Sequence, residues 1–100
     1  MRRWHRDGIT AVVAFNDDAA ADVVSASVRA GLRVPADLAV VGNDDAPIAR
    51  MFMPAPSTVR LDVDDLGRRF AEFALYRVGD GPRPRWTGGI TMTLVRRAST

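Results

Sequence analysis

The sequence of 100 residues predicts an α/β fold, a parallel βαβ sheet with flanking helices. Two observations carry that prediction. The first is an echo: Thr10-Ala11-Val12-Val13-Ala14-Phe15-Asn16-Asp17-Asp18 and Leu38-Ala39-Val40-Val41-Gly42-Asn43-Asp44-Asp45 are short apolar runs that each end abruptly in Asn-Asp-Asp. Continuous rather than alternating hydrophobicity is the pattern of strands buried on both faces, as in parallel sheets. The second is the helical character of the segment between them, Asp18 to Ala30, which makes the two runs a βαβ unit with both strands ending on one edge of the sheet. Open α/β sheets bind ligands beyond the carboxyl ends of their strands. The chain is therefore expected to grip something small and polar there.

Taken in order, residues 1 to 8 are polar and read as a linker or the end of a helix, and strand one is expected from Ile9 to Phe15. Asp17 or Asp18 is placed to cap the next helix by accepting its free amide protons. Within that helix Asp18, Asp22, Ser25 and Arg29 form one narrow stripe, and the rest is Ala, Val and Ser. A surface helix normally shows a wider polar face, so one apolar face is expected on the sheet and another on a partner. Gly31 suits a left-handed C-terminal cap. Val34-Pro35-Ala36-Asp37 reads as a turn into strand two, Leu38 to Val41. Pro47 suits the first turn of a short helix to about Met51, capped by Asp45. Pro54 and Pro56 break the chain before a third strand, Ser57 to Leu61. Asp62 then caps a long helix to about Val78, with Val63, Leu66, Phe70, Phe73 and Ala74 on one face, until Gly79-Asp80-Gly81-Pro82 stops it. The tail offers a last strand, Thr91 to Arg97.

Composition narrows the chemistry. There is no cysteine and one histidine, His5, so disulfides, thiolate metal sites and histidine-rich metal sites are excluded. No apolar stretch approaches the ~20 residues needed to span a bilayer, and the polar start is not a secretory signal; the expected location is the cytoplasm, away from membrane. All fourteen basic residues are arginine, spread along the chain, and the net charge is only +2. A nucleic-acid footprint needs basic residues clustered on one face. Without lysine, a phosphate-cradling P-loop fails, and so does a phospho-accepting receiver domain, which needs a lysine at a later strand end. No Ser-His-Asp constellation is available either, so no catalytic set and no cofactor are expected, and a binding module is favoured over an enzyme.

Carboxylates gathered at strand ends allow three readings: Mg²⁺ ligands, acceptors for sugar or base hydroxyls and amines, or helix caps. Capping accounts for Asp17, Asp18 and Asp45, each just before a helix. Asp44 stands at the strand end itself, before the capping position, and is the leading candidate to contact a ligand. Asn16 follows it. Asn43 is a further candidate, although Asn in a tight turn is more often conformational.

The stretch Gly31-Leu32-Arg33-Val34-Pro35-Ala36-Asp37-Leu38-Ala39-Val40-Val41-Gly42-Asn43-Asp44-Asp45 resembles the signature of lactose/galactose-repressor (LacI/GalR) transcription regulators. Thr10 to Asp17 before it, and Pro56-Ser57-Thr58-Val59-Arg60, Asp64-Asp65-Leu66-Gly67 and Leu94 to Thr100 after it, agree in order and spacing, so the resemblance covers residues 9–100. It implies the C-terminal part of a two-lobed, periplasmic-binding-protein-like effector domain that senses a sugar or purine between its lobes. DNA would be read only by a helix-turn-helix domain absent from these residues. The resemblance assigns effector contacts to Asn16 and Asp44, with Leu61 weaker, and a subunit interface to Ala19–Arg29 and Pro47–Met53, hence a homodimer or higher oligomer. Asn43 stands where the family usually has Phe or Tyr, and Leu61 where a polar residue is frequent. In the family, the helix matching Asp62 to Val78 belongs to the N-terminal lobe, so its apolar face needs a local fold-back, a partner chain or a missing segment to cover it. A fragment of a transporter's solute-binding protein is the alternative in the same fold, and a small metal-dependent α/β enzyme the alternative in another class.

Overall fold

The computed structural model describes residues 1–100. Its elements run α1 (Arg2–Arg6), β1 (Ala11–Val13), α2 (Asp17–Arg29), β2 (Ala39–Asn43), a 3₁₀ turn (Pro47–Arg50), β3 (Ser57–Leu61), α3 (Val63–Val78) and β4 (Met92–Val95). The four strands form one sheet in sequence order, β1-β2-β3-β4. β1 pairs with β2 and β2 with β3, both parallel, so the α/β class and the βαβ connection stand as expected. The register sets Val13 beside Val41, and Asn43 beside Val59. Three strand ends thus come to one edge of the sheet. The chain divides into two compact units, Met1–Arg60 with Leu94–Thr100, and Leu61–Thr93.

The first unit is built on α2 and β2. Ala14, Ala20, Val24, Leu38 and Val40 form its core, with Val12, Ala19, Val23 and Val34 packed against it. α2 begins one residue earlier than expected because Asn16, in extended conformation, caps it: its side chain accepts from the Ala19 N–H at 2.9 Å. The cap is therefore neither Asp17 nor Asp18. Its far end closes as expected at Gly31, φ +81°, where the Gly31 N–H reaches the Val28 carbonyl and the Leu32 N–H the Ser27 carbonyl, both at 3.0 Å. That pair of bonds is a Schellman closure, which needs a left-handed residue. The expected turn at 34–37 is held by Arg33, whose N–H and guanidinium both bond to Asp37. The Val34–Pro35 and Met53–Pro54 peptides are cis.

Three strand expectations need correction. β1 is shorter than Ile9 to Phe15 and is covered on one face only: Val12 packs on the core, whereas Val13 is 82% and Phe15 89% exposed. α2 residues pack on the Val12 side, and the Val13 side stays open. β2 runs two residues past Val41, so Asn43 is a strand residue paired with Val59 rather than a turn residue. The tail strand is trimmed to Met92–Val95, and the residues after it fold onto the first unit. There the Ser99 hydroxyl donates to the Val40 carbonyl and accepts from the Ser57 N–H, and the Val40 N–H returns a bond of 2.9 Å to the Ser99 carbonyl.

The second unit carries α3 with the bounds the sequence predicts. Asp62 caps it through the Asp65 N–H at 2.9 Å, and Gly79, φ +85°, ends it. No residue of α3 is buried. Its cover within the unit is partial: Phe73 meets Trp86 at a ring-centroid distance of 6.3 Å, the Trp86 indole N–H donates to Glu72, and Arg69 reaches the Gly88 and Gly89 carbonyls. Residues 1–8 contain a one-turn helix, α1.

Candidate functional site

The parallel register places the residues after β1 and β2 at the same edge of the sheet. Asn16 ends the β1 connection and spends its side-chain oxygen on the α2 cap, which leaves its amide NH₂ without a protein partner. Asn43 closes β2 and donates its side-chain amide to Asp44 Oδ1 at 2.7 Å. Asp44 is exposed and its Oδ2 is unbonded, so it presents a carboxylate oxygen to solvent at the strand end. Leu61 ends β3, half-buried, and begins the second unit; it has no polar side-chain atom to offer a hydroxylated ligand.

Asp44 and Asp45 have φ of +101° and +54°. L residues avoid this region, and each such residue costs of order 1–3 kcal/mol unless its surroundings enforce it. Here they do. Three successive amides are anchored separately: Asp44 N–H to the Val59 carbonyl at 2.8 Å, Asp45 N–H to Thr58 Oγ1 at 3.3 Å, and Ala46 N–H to Asp17 Oδ2 at 2.6 Å. The turn is thereby fixed with Asp44 exposed.

Asp45 is not the cap of the 3₁₀ turn, whose N-cap is Ala46, without a side-chain bond. It is turned inward, its side chain only 4% exposed, where Arg97 bonds to Oδ1 and Arg60 and Arg50 approach Oδ2 at 3.3 and 3.6 Å. The Arg97 guanidinium, helped by Arg50 and Arg60, holds the Asp45 carboxyl below the usual carboxylate range although burial works the other way. A carboxylate so paired is committed to the fold. Asp17, the first residue of α2, is 1% exposed; its Oδ2 holds Ala46, and its Oδ1 accepts nothing. A buried acceptor left unpaired costs about 1–3 kcal/mol, and Gly42 makes room for it, since a Cβ there would overlap Oδ1 and come within 3.1 Å of Ala20 Cβ.

Of the aspartates read as caps, Asp17 and Asp45 are therefore loop anchors. The sequence reading missed Ala46 as the partner of Asp17, and Thr58, Arg60 and Arg97 as those of Asp45, because no local pattern marks pairings so distant in the chain. No group of three or more histidine or carboxylate side chains is placed to hold a metal ion.

The model of the periplasmic binding protein-like domain matches residues 1–100. The chain belongs to that family. Its relatives bear out the lactose/galactose-repressor resemblance. The transcriptional regulator GalR of Escherichia coli (strain K12) is 34% identical over 90 residues, 90% of this chain and 26% of GalR. Among solved structures, a LacI family regulator from Lactobacillus casei with bound sucrose superposes with a TM-score of 0.73 at 26% identity, covering 91% of this chain and 33% of that one. The Lac repressor dimer bound to operator and the anti-inducer ONPF superposes with a TM-score of 0.76 at 29% identity, covering 98% and 35%. This periplasmic binding protein-like chain thus spans about a quarter of the length of the curated relatives it matches.

Proposed function

We propose that the chain is the C-terminal effector-binding and subunit-contact portion of a LacI-type transcription regulator, and that Asp44, with Asn16 and Asn43, forms one wall of a pocket for a small hydroxylated ligand, sugar-like in chemistry. The free Oδ2 of Asp44 at a parallel-strand end carries this reading, because an ionised carboxylate there accepts from two neighbouring hydroxyls. The amide NH₂ of Asn16 supplies the complementary donor. The chain performs no catalysis of its own in this reading, since the buried carboxylates are spent on loop anchoring. The whole regulator acts in the cytoplasm and contacts DNA through a helix-turn-helix domain distinct from these residues. A second subunit meets the molecule at the exposed end of α2 and the 3₁₀ turn, consistent with Val28, Met51 and Met53 standing exposed there.

Each charge-assisted hydrogen bond contributes roughly 1.5–3 kcal/mol, and 1.4 kcal/mol is a decade of affinity. In the intact two-lobed regulator, Asp44→Asn is expected to weaken sucrose or glucose binding, measured by calorimetry, at least about tenfold. The melting curve should move little, because the anchors of the turn remain. Unchanged affinity for a sugar that the parent binds would demote Asp44 to a structural residue; a collapsed melting curve would make it a fold determinant.

A further inference from the structure

We infer that Asp17 is the positioning residue of this site: through Ala46, its buried carboxylate fixes the left-handed turn that presents Asp44. The role of Asp44 as the gripping group rests on the reading above, whereas the turn is open to measurement without any ligand. Asp17 cannot touch a ligand itself, being 1% exposed. It is not needed as a helix cap, because Asn16 already caps α2. Its one hydrogen bond runs to Ala46, 29 residues away, and at 2.6 Å is the shortest of the three that tether residues 44–46.

The geometry explains why a carboxylate occupies so costly a position. Two consecutive non-glycine residues in the left-handed region persist only where surroundings over-determine them. The Asp44 amide is tied to backbone and the Asp45 amide to Thr58, so both of these belong to the β2–β3 pairing. The Ala46 amide alone is tied to α2. Asp17 thus supplies the hydrogen bond that couples the β2 exit turn to the helix starting beside Asn16. It sets the spacing between the two side chains read as ligand contacts. Gly42 keeps the link in place, because any side chain there would displace the Asp17 carboxylate.

The test begins with the ligand-free intact regulator and amide hydrogen exchange resolved at single residues. Asp17→Ala should speed exchange at Asp44 and Ala46 at least about tenfold while the Val40 amide, tied to Ser99, stays at its parent rate. Asp17→Asn, which keeps the acceptor, should remain within about threefold of parent at both. If the alanine variant does not fold, Asp17→Ser, too short to reach Ala46, takes its place. Parent-like exchange at Asp44 and Ala46 in that variant, or parallel loosening at Val40, would overturn the positioning role. The second arm titrates sucrose and glucose. Asp17→Ala should weaken binding at least about tenfold, and combining it with Asp44→Asn should weaken it no further than Asp44→Asn alone, whereas additive losses would overturn a role exercised through Asp44. If the parent binds neither sugar, the sugar-like reading fails, and the exchange arm still decides whether Asp17 holds the turn.

Discussion

Asp44 and Asp45 are adjacent, identical in side chain, and placed in opposite surroundings. Asp44 meets solvent and one neighbouring amide; Asp45 meets three arginines in a nearly closed site. For Asp45 the folded-state pKa lies below the ordinary value of about 3.9. The sign follows directly: its contribution is complete above about pH 4 and is lost as pH falls through the lower folded value. Urea midpoints from pH 7 downward should therefore fall more steeply for the parent chain than for Asp45→Asn, and a constant gap between the two would contradict the pairing. The three arginines are unequal. Arg97 is 14% exposed and Arg50 67%, so Arg97→Ala, which breaks a buried pair, should cost about 3 kcal/mol, and Arg50→Ala under about 1 kcal/mol.

The helices are controlled at their ends. α2 starts on Asn16 and stops on Gly31, α3 starts on Asp62 and stops on Gly79, and each start uses a side-chain oxygen while each stop uses a left-handed glycine. Gly67 plays no such part, since it lies inside α3 with open space where its Cβ would be. Helix-interior glycine is disfavoured relative to alanine by about 0.5–1 kcal/mol, so Gly67→Ala should raise stability by about that amount. Gly31→Ala should lower it by about 1–2 kcal/mol, the penalty of a left-handed L residue. Denaturant titration of the two variants checks both signs; stabilisation by Gly31→Ala would refute the Schellman closure.

Each unit of the molecule leaves large apolar side chains uncovered. In the first, Val13, Phe15, Met51 and Met53 are all at least 79% exposed; in the second, Val63, Phe70 and Val78 are at least 65% exposed. Large apolar side chains left exposed in such number favour association. Light scattering of the chain at micromolar concentration should give a dimer or larger species, and a strictly monomeric mass would remove the basis for the subunit contact proposed on α2 and the 3₁₀ turn.

Elements whose signals are local were legible in the order of residues alone. The apolar runs ending in Asn-Asp-Asp placed β1, β2 and the edge where Asn16 and Asp44 stand, and Asp62, the apolar periodicity and Gly79 bounded α3, because caps and periodicity act within a turn or two of chain. What each carboxylate does depends on partners that folding brings in from far along the chain. Asp45 finds Arg97 across 52 residues and Asp17 finds Ala46 across 29, and no local pattern separates a capping aspartate from one buried to anchor a loop. The one-sided cover of β1 is likewise tertiary: an apolar run records what a strand tolerates, and its neighbours in the sheet decide which face is buried. That is why the caps inferred at Asp17 and Asp45 are the ties that shape the turn at Asp44.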